Sequence, residues 1–176
     1  MTSKRPQIYI LCEDKNHYYF ARKYFELLGI ENILGKYNPK GEGSGADFVT
    51  KNYEKRFKAF RYKAGSFLVV IIDDDTRDRI QDLYNIYKPS KNENILIFSP
   101  KRNIESWFHF IETGDMDVET HKDEKGKLMD YKSKYNYCKP TEFAKKLKED
   151  ICQKGLPEHT PSSLHHACNE LKRLNG

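Results

Sequence analysis

The sequence predicts an α/β fold: a mostly parallel sheet flanked by helices, with further helices closing the C-terminal end. Three observations predict it. Leu68-Val69-Val70-Ile71-Ile72 is a run of five aliphatics, mostly β-branched, as a strand buried on both faces of a parallel sheet requires. Gln7 to Cys12 and Asn94 to Ser99 are shorter runs of the same character. Segments with helical periodicity alternate with all three, the pattern of βα units in a Rossmann-like sheet.

Each element follows from its own pattern. In the first strand Ile8, Ile10 and Cys12 share one face, and Tyr9 and Leu11 the other, so both faces are apolar. The strand ends at Glu13-Asp14-Lys15-Asn16, where Asn16 is the expected helix N-cap. Phe20, Tyr24, Leu27 and Leu28 then recur at helical spacing up to Gly29. Ile33 and Leu34 suggest a short strand. Gly41 to Gly45 reads as a surface loop. Its glycines would let backbone N–H groups approach a phosphate, but the P-loop spacing and its Lys-Ser/Thr are missing. Ala46 to Ala64 reads as a basic amphipathic helix, with Val49, Tyr53, Phe57 and Phe60 inward and Lys51, Lys55, Arg56, Lys58, Arg61 and Lys63 outward. That face either meets water or touches phosphates. Past the central strand, Ile80, Leu83, Tyr84 and Tyr87 give a helix stopped by Pro89. After the third strand, Ile104, Trp107, Phe108 and Ile111 share a helical face, with Trp107 expected in the core. Gly114 to Lys139 is polar and aperiodic and reads as an excursion or lid. Two closing helices follow, one through Phe143, Leu147 and Ile151. The other has Thr160 as N-cap, Pro161 at N1 and Leu164, Cys168 and Leu171 inward.

The 176 residues fit one domain, 1–176, with its core over about 7–111, the excursion over about 114–139 and the closing helices over about 140–175. No apolar run reaches the roughly 18 residues a membrane span needs, and Met1 to Pro6 does not open a signal peptide. Cys12, Cys138, Cys152 and Cys168 lack CxxC spacing and read as reduced thiols, which points to the cytoplasm. A net charge of +5 permits nucleic-acid binding without requiring it, and 13% aromatic residues suit either base stacking or an aromatic core.

Three strand ends each deliver acid: Glu13, then Asp73-Asp74-Asp75, then Glu105. Open α/β sheets place ligands at the carboxyl ends of their strands. Carboxylates gathered there repel unless a cation shares the site, and a hard divalent ion, Mg²⁺ or Mn²⁺, suits oxygen donors. Asp73 and Asp75, alternate residues of an extended end, would point to the same ion. Asp74 and Asp75 could instead simply begin the next helix, where acids are favourable. Glu105 could anchor a second ion or serve its own helix start. Lys15, Lys101 and Arg102 lie beside the acids in sequence, to neutralise a phosphate or to stand as surface charge.

A strand ending in Glu13, a helix, then a hydrophobic strand ending in Asp73-x-Asp75 resembles the Toprim domain. Pro100-x-x-x-Ile104-Glu105-x-Trp107 is similar to a segment of compact bacterial Toprim-like proteins related to the OLD-family nucleases and RloB-type proteins. The resemblance covers roughly residues 7–111. Where that family commonly has Gly after its glutamate this chain has Asp14, and where a second acid often follows it has His17. The resemblance implies a Toprim-like fold and metal-dependent nuclease chemistry on DNA or RNA phosphodiesters. It also implies a setting among phage-defence proteins and a partner ATPase. In that frame Glu13, Asp73, Asp75 and Lys101 are the catalytic candidates. Glu13, Asp73, Asp75 and Glu105 are the metal candidates, and Lys15, Lys55, Arg56 and Arg102 the nucleic-acid contacts. His17 is either a proton shuttle or incidental. Two other functions remain open: a nucleic-acid- or nucleotide-binding module with a metal site and no turnover, and a haloacid-dehalogenase-like phosphohydrolase with an Asp nucleophile. The latter motif usually lies near the N-terminus, whereas here a βα unit and a basic helix precede it.

Overall fold

The computed structural model of the chain describes residues 6–75, 77–152 and 155–175. Among them four strands, all parallel, form one sheet in the order β2-β1-β3-β4. The strands are β1 (Gln7–Cys12), β2 (Asn32–Tyr37), β3 (Ser66–Ile71) and β4 (Ile95–Phe98). The helices are α1 (Lys15–Leu27), α2 (Gly45–Phe60), α3 (Arg79–Ile86), α4 (Ile104–Thr113), α5 (Pro140–Lys146) and α6 (Ser162–Leu171). A π-helical turn, Leu147–Cys152, prolongs α5, and a 3₁₀ turn, Lys172–Asn175, ends the chain's helices. The α/β class with a parallel sheet and C-terminal helices is what the apolar runs predict. None of the described helices is long and apolar enough to cross a membrane.

The two-sided strands divide the core. Ile8, Ile10, Cys12, Val69, Ile71, Leu96 and Phe98 face α1, α4, α5 and α6. Leu11, Leu68, Val70, Ile72, Ile95 and Ile97 face α2 and α3. On the second side Tyr53 is fully buried. Its hydroxyl donates to the Tyr87 carbonyl at 2.9 Å, which satisfies the one polar atom that burial would penalise. Trp107 lies in the core at 2% exposure.

Several boundaries differ from the sequence reading for identifiable reasons. Asp14, not Asn16, caps α1, because its carboxylate reaches the free N–H groups of Asn16 and His17 and its charge suits a helix N-terminus. Pro161 rather than Thr160 is the N-cap of α6. β2 runs six residues although only Ile33 among them is buried, since an edge strand is held by its ladder more than by packing. The segment between α4 and α5 joins the core through Val118, Tyr131 and Tyr135.

Gly35 on β2 sits where a side chain has no room. A Cβ there would come 2.6 Å from the Ile10 carbonyl oxygen and 2.5 Å from Tyr18 Cε2. Gly35→Ala should therefore destabilise the fold by about 1–3 kcal/mol, the usual cost of overpacking. Urea unfolding measures it, and an unchanged midpoint would show that β2 yields freely.

Candidate active site

The strand order makes β1 and β3 neighbours while their connections diverge: α1 leads from β1 outward to β2, and α3 from β3 outward to β4. Such a switch point leaves a crevice beyond the carboxyl ends of the two strands. Glu13 follows β1 directly and Asp73 lies two residues past β3. Glu13 Oε1 accepts the Asp73 backbone N–H at 2.7 Å, so the two acids span the crevice. Gly45, the first residue of α2, backs onto Glu13; a Cβ at Gly45 would lie 2.7 Å from Glu13 Cβ. The glycine loop before α2 thus matters for close approach to Glu13.

His17, in the first turn of α1, lies between two carboxylates. Nδ1 is 2.8 Å from Asp14 Oδ1, and Nε2 is 2.8 Å from Asp73 Oδ1. The ring is 1% exposed. Both nitrogens can donate only in the imidazolium form. Burial opposes that charge, but Asp73 and Asp14 raise the His17 pKa well above its ordinary value. Burial works to raise Asp14 as well, yet the charge and hydrogen bonds of His17 hold its carboxyl below the usual range.

The remaining acids lean the other way. Burial, then the Asp73 charge, pushes Glu13 up to about 7. Burial raises Asp73 against the pull of His17. Glu105, 2% exposed in the first turn of α4, is raised by burial and then by Asp73. Its Oε1 is 3.5 Å from Asn16 Nδ2, which ties the α4 start to the α1 start.

The structure brings Glu13, Asp73 and Glu105 to one neighbourhood around His17. Asp75 is exposed and turned toward α3, with Oδ1 3.4 Å from Arg79 Nε. Backbone pairing continues past β3 as far as Asp74, whose N–H donates to the Pro100 carbonyl at 2.9 Å, and Asp75 lies beyond it. Lys101 pairs with Asp74 at 3.3 Å across a parallel bridge. Arg102, at φ +68°, pairs with Asp130 at 3.3 Å. Lys15 lines an open cleft of about 540 Å³ with Asp14, Asn16, Tyr37, Asn38 and Lys40, beside the crevice. Lys55 is exposed on α2, while the Arg56 guanidinium lies over the Tyr9 ring at 4.2 Å. Lys132, which no sequence pattern singles out, acts electrostatically on Asp73 from the segment before α5. Asp14 and His17 are legible only through their i,i+3 spacing in a first helical turn.

The donor set of Glu13, Asp73 and Glu105 is all oxygen, which suits a hard divalent ion. Among the described residues, however, the trio of possible ligand atoms lying within 4.8 Å of one another is Asp115, Asp117 and His121, away from the crevice. The cation among the crevice acids is His17.

These shifts set the pH dependence of folding. Between 4.5 and about 7 folded Glu13 keeps a proton that the unfolded chain has released, so stability falls as pH rises through that window. His17, raised in the fold, contributes fully below its ordinary 6.5 and loses that contribution as pH climbs past its folded value. The urea midpoint should fall from pH 5 to pH 9, and Glu13→Gln should flatten the part below about 7. A midpoint that rises over this range would contradict both assignments. No family model, curated protein or solved structure matches this chain.

Proposed function

We propose that this chain is a divalent-metal-dependent nuclease that hydrolyses DNA or RNA phosphodiesters in the crevice between β1 and β3. One observation carries the reading: Glu13 and Asp73 converge at the switch point, joined by a 2.7 Å hydrogen bond, with buried Glu105 alongside. Glu13, Asp73 and Glu105 would hold Mg²⁺ or Mn²⁺, and Asp75 would join them if Arg79 released it. A bound ion would supply charge neutralisation at the phosphate and an acidified water.

The chain's own groups supply the rest. Glu13, pushed up to about 7, suits proton transfer near neutral pH. His17 holds Asp73 in place from its other side. Lys15 and Lys132 offer positive charge for the phosphates on either side of the scissile one. A place in phage defence and an ATPase partner go with this reading through the Toprim resemblance alone, and the cytoplasm through the cysteines read as reduced thiols.

A second reading is favoured by one specific observation. His17 already sets a positive charge between Asp14 and Asp73, so the crevice could bind nucleic acid or a nucleotide without turnover.

Two experiments separate them. Purified protein is incubated with single- and double-stranded DNA and RNA in Mg²⁺ or Mn²⁺. The nuclease reading expects cleavage of one of them, blocked by EDTA and reduced about 100-fold or more by Asp73→Asn. Binding that survives in Asp73→Asn, with no cleavage of any substrate, selects the binding module. In the second, His17→Ala leaves Asp73 buried with no counter-charge and should cost about 3–5 kcal/mol. Millimolar Mn²⁺ should then raise the melting temperature of the variant more than that of the wild type. Equal effects on both would show that these acids do not take the ion.

A further inference from the structure

At the other end of the sheet, Cys152 and Cys168 meet. Cys152 ends the π-helical turn and Cys168 sits on the inner face of α6. Their Sγ atoms are 3.4 Å apart, in contact but unbonded, and 16 positions separate them in sequence. Both line an open cleft of about 690 Å³, shared with Tyr24, Leu156, His165 and Lys172. Pro6 and Ile30, which precede β1 and β2, border it too, so it lies at the amino edge, opposite the acidic crevice. It is the larger of the two clefts, yet it carries none of the crevice acids.

We propose that Cys152 and Cys168 form a modification site: a dithiol that an oxidant of the peroxide class converts to a reversible intramolecular disulfide. From 3.4 Å, the two sulfurs need to close by only about 1.3 Å between them to reach a bonded length of about 2.05 Å. The cleft gives a small oxidant access. The two sulfurs also differ in chemistry. The hydrogen bond from Cys168 draws the Cys152 thiol down to about 7 against burial, with help from Tyr24. Cys168, which donates that bond and is buried, is pushed up. Cys152 is also the more exposed of the two, which makes it the attacking thiolate and Cys168 the resolving thiol. The other two cysteines do not compete: Cys12 is fully buried, and burial pushes the Cys138 thiol up to about 11.

The chemistry balances. Cys152 thiolate attacks one peroxide oxygen, the O–O bond breaks, and the leaving hydroxide takes a proton to give water and a Cys152 sulfenic acid. Cys168 Sγ then attacks Cys152 Sγ, the S–O bond breaks, and the departing hydroxide collects the Cys168 proton as a second water. The thiols lose two electrons and the peroxide gains them.

The bond would staple the α5 extension to α6. α5 packs against α1, which carries His17, and α6 presents Ser163 to Lys101 and Trp107. It would therefore brace two supports of the crevice from behind. The inference does not depend on the nuclease reading.

The test treats the full chain with equimolar hydrogen peroxide, quenches with catalase, alkylates remaining thiols and maps the peptides. The expected product is one Cys152–Cys168 linked peptide, with Cys12 and Cys138 alkylated, and full reversal by dithiothreitol. Closing a loop of this length should raise the melting temperature by about 5 °C. Cys152→Ser and Cys168→Ser should each abolish that rise. A sulfinic acid on Cys152 with Cys168 still alkylatable would overturn the proposal. So would a link between molecules, earlier oxidation of Cys138, or no oxidation at all. The wild-type map decides by itself if Cys168→Ser does not fold.

Discussion

Two carboxylates, each 2.8 Å from a nitrogen of one buried imidazole, set the terms for the crevice. A neutral ring could donate to only one of them, and its other nitrogen would face a carboxylate lone pair to lone pair. The protonated ring satisfies both and carries the charge that burial there would otherwise forbid. Its two partners come from different parts of the chain: Asp14 from the turn after β1, Asp73 from the end of β3. The pairing therefore closes the gap between two strands whose connections run apart. It also shapes the neighbours, because Asp73 is among the charges that raise Glu13 and Glu105.

Asp14, His17 and Asp73 together retain one net negative charge, and Glu13 and Glu105 add acid that the imidazolium does not fully offset. Both glutamates are pushed up, by burial first and by the Asp73 charge second. The site is partly compensated by a resident cation of one charge. His17 and Asp14 shift that balance in opposite senses. The histidine supplies positive charge, and the aspartate anchors it. This pairing weakens the demand for a metal without removing the oxygen donors that would hold one.

Much of this was legible in the sequence because burial leaves a composition signature. The runs Leu68–Ile72, Gln7–Cys12 and Asn94–Ser99 gave the central strands, and the parallel order carried Glu13 and Asp73 to one edge. The edge strand β2 was nearly silent, since Asn32, Gly35 and Lys36 pair through backbone alone. Strand periodicity points to Asp75 as a second ligand, but the backbone ladder of this edge runs only as far as Asp74, whose N–H donates to the Pro100 carbonyl, and Asp75 lies beyond it. Tyr131 and Tyr135 enter the core from a segment with no period, each filling a gap that tertiary structure defines. The role of His17 depends on a contact 56 positions away, which local spacing cannot announce.

The three acids around His17 are not held alike, and the difference assigns their work. Glu105 sits on a stretch fixed from several sides. Asp74 bridges to Lys101, Ser163 accepts from the Lys101 N–H and the Trp107 indole, and Asp130 accepts from Asn103 and Arg102. Asp73 is clamped by His17 and by its own N–H bond to Glu13. The Glu13 carboxylate accepts the Asp73 N–H through Oε1, its hydrogen bond among the described residues. Its pKa near 7 also leaves it close to half-protonated at neutral pH. A group that is to exchange protons with water or a leaving oxygen must be able to change its charge without collapsing its surroundings. Asp73 cannot do so without releasing His17, and Glu105 is shut in. Glu13, pushed up to about 7 and held by a backbone N–H, is the acid on which the proposed reaction would place its proton movement.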